Sequence, residues 1–237
     1  MLFRRFLLLV AAAALMVPAP AGSASGGTAR TCPVLPEVTK HLAEGKADIQ
    51  SSTFAMARAH AQLVLLGSDV RVAAKFEDVP KHREGQYLKI LDSAMHEWEK
   101  NLDGTVHFVR VPDGEDAPVV VRFRPSVVMR GEQVAGYVNW KRILKPEQDG
   151  TVSADFTADL QIRVRDLNGE SMPSNAMRHA VMHEFGHVLG LDDSPRQGDI
   201  MGPLDVDCPV SSSTALEIDT VKNLRAQALE ILQEATR

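Results

Sequence analysis

Cysteines, tryptophans and tyrosines number only two each in the 237-residue chain, and acidic side chains outnumber basic ones. Two cysteines are too few for a scaffold built on disulfides. With a net charge of −5, nothing in the composition suggests a polyanion partner, and we predict no binding to nucleic acid. The 44% hydrophobic content is typical of a folded protein whose length allows a sizeable core.

Long apolar runs are absent after the first residues, and spanning a membrane takes about 20 apolar residues. The N-terminus combines arginines at positions 4 and 5 with an apolar run at residues 6–17 and small residues at 19–21. This order predicts a signal peptide at residues 1–21. The sequence therefore predicts a secreted protein with no stable membrane association after signal cleavage.

The rest of the chain divides into two predicted parts. Residues 22–67 begin as a flexible leader and continue as a helical segment, and residues 68–237 form the main domain. Alternating hydrophobic residues predict strands in the main domain at about residues 70–76, 105–111, 118–123, 134–140 and 158–165. Helical spacing predicts a long helix at residues 84–101, a helix that has Ser174 as its N-cap and runs through Leu189, and a last helix capped by Thr214 and Glu217. The predicted fold class is α+β.

His183 and His187 lie one turn apart on the predicted helix that starts at Ser174, so their imidazoles can meet a single metal ion. Glu184 completes the pattern H-E-x-x-H. Its side chain leaves the helix at another angle, where it can take a proton from a water molecule on the metal. Glu184 is therefore the candidate general base. His179 is too far from His187 for all three imidazoles to share one ion, and we do not predict it as a ligand.

A catalytic zinc site usually has three protein ligands and one open position, so a third ligand must follow the two histidines. Gly190 can take a left-handed conformation, which ends the helix and turns the chain back beneath the metal. Asp193, three residues further on, is then placed to coordinate through a carboxylate oxygen. The predicted metal ligands are His183, His187 and Asp193.

The run from His183 to Asp193 resembles the signature of the metzincin zinc peptidases, H-E-x-x-H-x-x-G-x-x-[H/D], which is followed by a methionine-containing turn. Gly190-Leu191-Asp192-Asp193-Ser194 and Asp199-Ile200-Met201 most resemble the matrixins within that clan. Asp193 stands where most members have a third histidine, as in snapalysin-like enzymes. The resemblance implies a metzincin-like fold with a small mixed, twisted sheet.

The same resemblance implies one catalytic zinc ion, with Met201 as the apolar floor beneath its ligands. It also implies protein or peptide substrates that lie as an added strand along a sheet edge, which we expect at residues 134–138. The pocket beside the scissile bond should draw on Val188, Pro203 and Leu204. The predicted function is a secreted zinc endopeptidase; the alternative is a non-catalytic zinc-binding domain for adhesion or partner recognition.

The sequence leaves two questions open: whether the chain binds calcium, and whether its two cysteines form a disulfide. Asp166, Asn168 and Glu170 could donate oxygens to Ca²⁺, but a solvated turn is the simpler interpretation. In an exported protein Cys32 and Cys208 would most simply form one disulfide. The rival hypothesis, taken from matrixin prosegments, is a Cys32 thiolate on the zinc and removal of residues 22 to about 67 on activation. Without such removal, the helical segment is a permanent part of the fold or an intramolecular folding aid.

Overall fold

The computed structural model describes residues 32–112 and 114–237. The helices are α1 (Pro36–Gln50), α2 (Phe54–Leu65), α3 (Lys81–Asn101), α4 (Ser174–Val188) and α5 (Ala215–Glu234). The strands are β1 (Asp69–Phe76), β2 (His107–Arg110), β3 (Val119–Arg124), β4 (Val128–Met129), β5 (Glu132–Gln133), β6 (Gly136–Pro146) and β7 (Val152–Arg163). The predicted signal peptide and the flexible leader up to residue 31 lie outside the described residues.

A five-stranded sheet in the order β2-β1-β3-β7-β6 forms the centre of the fold. The first three pairs of neighbours are parallel, and β6 runs antiparallel to β7. The predicted α+β class with a small mixed sheet is confirmed. β6 is an edge strand, and its first residues coincide with the edge expected at residues 134–138. No helix among residues 32–112 and 114–237 has both the length and the apolar content to cross a membrane.

The hydrophobic residues form two clusters. The larger one, the sheet core, lies where α3 and α4 pack against the sheet and includes Trp98, Phe123 and Phe185. The smaller one, the helix core, joins α1 and α2 to α5 through residues spaced three or four apart, including Val38 and Leu224. The helical part predicted within residues 22–67 forms α1 and α2 and packs into the same compact unit as the main domain.

The antiparallel hairpin of β6 and β7 is longer than the sequence predicted. Its strands stay paired from Gly136–Ile162 to Pro146–Val152, although β7 contacts β3 only from Ala158 onward. The outer half pairs with no third strand and is only partly buried. Arg142 is buried there and Phe156 packs against the sheet core, but Ile143 is exposed, so this half lacks the hydrophobic alternation that marks a half-buried strand.

The helix ends were predicted with mixed success. Thr214 and Glu217 form the predicted capping box of α5. Ser174 is not the N-cap of α4; Pro173 occupies that position, and the Ser174 hydroxyl instead accepts a hydrogen bond from Gln86 Nε2 at 2.9 Å. The predicted cap was therefore wrong, although α4 itself begins and ends within a residue of its predicted bounds.

Candidate metal centre and active site

Helix α4 presents one face to a cavity of about 1030 Å³. Ala180, His183, Glu184 and His187 line this cavity, and their spacing places them on one side of the helix. The opposite side is held in the sheet core, where Phe185 is fully buried and Trp98 Nε1 donates to the Met182 carbonyl at 3.0 Å. The helix is thus fixed in rotation, with the H-E-x-x-H residues facing the cavity.

Each imidazole of the motif is oriented by a backbone carbonyl. His183 Nδ1 lies 2.9 Å from the Ile200 oxygen, and His187 Nδ1 lies 2.9 Å from the Leu191 oxygen. Because a carbonyl can only accept, each Nδ1 carries a proton and each Nε2 points into the cavity, where the neutral form of the ring offers its lone pair to a metal. These two Nε2 atoms lie 3.1 Å and 3.5 Å from Asp193 Oδ1.

The turn after α4 brings Asp193 to this position. Gly190 has φ +104°, as the left-handed helix end requires, and the Leu191 amide donates back to the Gly186 carbonyl at 2.9 Å. The ligand atoms of His183, His187 and Asp193 all lie within 4.8 Å of one another. Two imidazole nitrogens and one carboxylate oxygen are a donor set that suits zinc, so the residues fit the predicted metal.

The charges around His183, His187 and Asp193 favour a cation at the point where the three side chains converge. Hydrogen bonding to His183, and next to His187, holds the pKa of Asp193 well below its usual range. Burial opposes a charge on His183, but Asp193 and Glu184 outweigh it and raise the pKa of that imidazole. The local field is therefore negative at the point where the Nε2 atoms and Asp193 converge.

Glu184 lies beside this group and is almost fully buried, at 4% exposure. Burial raises the pKa of its carboxyl, although His183 and His187 partly offset the effect. Gly136, at the start of β6, passes so close that a Cβ there would overlap Glu184 Oε1. The edge strand and the carboxylate therefore share one wall of the cavity, and only glycine leaves room for both.

Met201 lines the same cavity and packs against α4 at Gly186. It is fully buried, and a Cβ on Gly186 would overlap its sulfur. Its carbonyl accepts the Ser194 amide at 2.7 Å, and its amide donates to Glu217 Oε1 at 2.8 Å. Since Glu217 also caps α5, the turn is tied to the last helix.

The walls of the cavity agree only in part with the expected pocket. Pro203 and Leu204 line it, as the resemblance implied, together with Leu167 and Val206. Val188 does not; it is fully buried in the sheet core, because it follows His187 by one residue and so leaves the helix on another side. That assignment was wrong. His179 also lines the cavity behind His183, and its Nδ1 accepts the Val210 amide at 3.0 Å.

The predicted disulfide is not formed, because both cysteines are free. Cys208 is exposed, whereas Cys32 is 3% exposed and belongs to the sheet core. The rival thiolate hypothesis also disagrees with the structure, since Cys32 is not among the converging ligand atoms. Burial, followed by the charges of Glu217 and Asp199, raises the pKa of its thiol to about 11.

The turn proposed for calcium satisfies its own hydrogen bonds. Asp166 Oδ1 accepts the amides of Asn168 at 2.9 Å and Glu170 at 2.8 Å. Such an Asx-type turn needs no ion, which favours the interpretation as a solvated turn.

A second group of histidines lies between α1 and α2, which we call the interhelix cluster: His41, Glu44 and His60. The two imidazoles are buried, and their Nδ1 atoms hydrogen-bond to each other at 2.9 Å. His60 Nε2 faces Glu44 at 3.7 Å and Asp48 at 3.6 Å. Sequence analysis did not find this group, because nothing local joins residues 19 positions apart.

Trp140 and Glu37 were also missed. The Trp140 ring stacks on His187, with 5.8 Å between ring centroids and 23° between planes. Its Nε1 donates to Glu37 Oε2 at 2.7 Å, across 103 positions of sequence. No local pattern could have indicated this contact. Gly136 offered a weak signal, since glycine in a strand often marks a close approach.

Helix-borne histidines, a carboxylate brought to them by a glycine turn and a buried methionine beside the edge of a mixed sheet are the arrangement of a zinc metallopeptidase of the metzincin type. A family model described as matrixin matches residues 71–226, and the chain belongs to the matrixin family. The chain is therefore a metallopeptidase that hydrolyses proteins or peptides, and its family implies a catalytic zinc ion. A search of curated proteins finds no match.

Proposed function

We propose that the chain is an exported zinc endopeptidase in which His183, His187 and Asp193 hold the metal and Glu184 is the general base. The observation that carries this proposal is the convergence of the two Nε2 atoms and Asp193 Oδ1, at 3.1 Å and 3.5 Å, in the cavity that Glu184 also lines. Export rests on the signal peptide predicted at residues 1–21.

When bound, zinc supplies the Lewis acidity that polarises the scissile carbonyl and makes a water molecule more acidic. Glu184 takes a proton from the attacking water onto a carboxylate oxygen as the new C–O bond forms. The same carboxyl then gives that proton to the leaving nitrogen as the C–N bond breaks. Burial suits this role, because a raised pKa makes the carboxylate a stronger base than one in open water.

The substrate is proposed to lie along β6. This strand is at the edge of the sheet, and its residues 136–140 line the cavity beside Glu184. A peptide added as a strand there would pair its main chain with β6 and place a carbonyl at the metal centre.

Replacement of Glu184 by Gln tests the proposed base. The amide has nearly the same shape but cannot accept the proton, so zinc content should stay at one ion per chain while cleavage of a denatured protein falls below detection. Retained cleavage by Glu184→Gln would contradict the role. Equal inertness of the wild type and the variant on a broad peptide library would favour the non-catalytic zinc-binding alternative.

A further inference from the structure

We propose that residues 33–65, which we call the N-terminal brace, are a permanent part of the active enzyme. Within the brace, Glu37 is a positioning residue that acts on His187 through Trp140. The proposal rests on the proposed function, because it assumes that His187 is a zinc ligand. It assigns a role to α1 and α2, which lie before residue 71, where the matrixin match begins.

The brace holds the turn that delivers Asp193. The Leu35 amide donates to the Gly190 carbonyl at 3.0 Å, and the Pro33 carbonyl accepts the Asp192 amide at 3.0 Å. These two bonds flank an antiparallel bridge between the brace and the turn. Since Gly190 and Asp192 bracket the approach to Asp193, the brace fixes the backbone from which the third ligand projects.

Side chains of the brace reach the second ligand. Glu37 accepts the Trp140 Nε1 hydrogen at 2.7 Å, and the Trp140 ring stacks on His187. Trp140 also packs against both the sheet core and the helix core. A tryptophan held at its ring edge by a carboxylate cannot rotate freely, so its face limits the orientations of the His187 imidazole.

Arg142 ties the brace to the end of α4. Its side chain is 1% exposed, and its guanidinium donates to the Val188 carbonyl at 2.9 Å and the Leu63 carbonyl at 3.2 Å. Glu37 lies 3.6 Å from Nη1 of this buried cation. Burial lowers the pKa of Arg142 to about 10, and Glu37 opposes that shift. One carboxylate of the brace therefore contacts both Trp140 and Arg142.

The brace does not cover the active site. None of residues 33–65, all of which the structure describes, lines the cavity of His183 and Glu184. Substrate access therefore does not require its removal, unlike that of a prosegment lying across the site. Removal would instead expose Leu224, Ala228 and Ile231, the residues of α5 in the helix core, and would leave the Gly190 carbonyl without its partner.

The mass and N-terminal sequence of the active wild-type enzyme test retention of the brace. We expect cleaving, zinc-loaded protein to begin before residue 33 and to show no cut between residues 33 and 65. Active protein that begins at residue 68 or later would overturn the proposal.

Variants of Glu37 test its positioning role. Glu37→Ala should lower zinc affinity and kcat/KM about tenfold each, whereas Glu37→Gln should stay within about threefold, because its amide oxygen still accepts the Trp140 hydrogen. Glu230→Ala removes an exposed carboxylate from α5, which also packs in the helix core, and should change neither value by more than about twofold. All measurements are made below the melting temperature of the least stable variant.

Trp140→Phe separates positioning from general stability. It keeps an aromatic face for His187 but removes the Nε1 donor, so adding Glu37→Ala to it should lower zinc affinity less than Glu37→Ala does in the wild type. Full additivity, or wild-type zinc affinity and kcat/KM in Glu37→Ala, would overturn the role of Glu37. A wild-type protein that neither binds zinc nor cleaves would instead overturn the proposed function.

Discussion

Two clusters of histidines and carboxylates occur among the described residues, and each brings three ligand atoms within 4.8 Å of one another. In the active site, both Nδ1 atoms donate to backbone carbonyls, so both Nε2 atoms are free to meet Asp193. In the interhelix cluster, the two Nδ1 atoms bond to each other at 2.9 Å, and one must donate while the other accepts. The comparison indicates that the second hydrogen bond of each imidazole decides whether a histidine is ready for a metal.

Removing one histidine from each cluster tests this difference between the two clusters and should give the largest effect. His183→Ala should abolish both zinc binding and cleavage, since two ligand atoms remain. His60→Ala should keep one zinc ion per chain and lower the free energy of unfolding by about 1–3 kcal/mol, because His41 loses its buried partner. Metal analysis and denaturant unfolding of both variants check this. Loss of a bound zinc ion from His60→Ala would show that the interhelix cluster is also a metal site.

Two glycine-to-alanine substitutions, one at the active site and one distant from it, test how closely β6 approaches Glu184. Gly136→Ala places a methyl group on Glu184 Oε1, so kcat/KM should fall by roughly 10- to 100-fold while zinc content is unchanged. Gly85→Ala in α3 meets nothing within 4 Å and should leave activity unchanged while stabilising the helix by about 0.5–1 kcal/mol. Equal activity of the two variants would contradict the close approach of β6 to Glu184.

The interhelix cluster should respond to pH. Burial, and then the neighbouring His60, lower the pKa of His41 below 6.5, while Glu37 and Glu44 oppose the shift and Arg142 adds to it. Below pH 6.5 the unfolded chain therefore binds more protons than the folded one. The free energy of unfolding then decreases as the pH is lowered. In a His183→Ala background, which removes the contribution of zinc release, His41→Gln should reduce this loss between pH 7 and 5. An unchanged pH profile would contradict the lowered pKa of the buried His41.

The two cysteines belong to neither cluster, and changes to their thiols should have the smallest effect on the protein. Reducing agent should leave the melting temperature unchanged, because Cys32 and Cys208 are free. Alkylation of the native protein should modify the exposed Cys208 rather than the buried Cys32, whose pKa is about 11. An unreduced protein that takes up no label even after unfolding would instead indicate the disulfide.

The candidate metal centre could be predicted because its geometry is local. His183 and His187 share a face through helical spacing, and Gly190 returns Asp193 to that face within one turn of chain. The fold class was also accessible, since burial on one side leaves periodic hydrophobic residues in α3, α5 and most strands.

The remaining features depend on contacts between distant parts of the chain. Glu37 and Trp140 meet only because α1 packs beside β6, and the overlap of Gly136 with Glu184 exists only in the folded protein. The disulfide was inferred from the number of cysteines and from the predicted export. Neither observation gives the distance between Cys32 and Cys208 in the folded protein. Val188 was assigned to the pocket from the family resemblance, whereas the helix in fact turns it into the sheet core.

Zinc affinity of matched aspartate variants is the most direct test of the metal centre. Asp193 Oδ1 faces both histidines, whereas the neighbouring Asp192 only lines the cavity and accepts the Asp193 amide at 2.9 Å. Competition with a chromophoric chelator should show zinc binding weakened at least about 100-fold in Asp193→Asn and changed by less than about threefold in Asp192→Asn. Wild-type zinc affinity in Asp193→Asn would contradict the assignment of the third ligand.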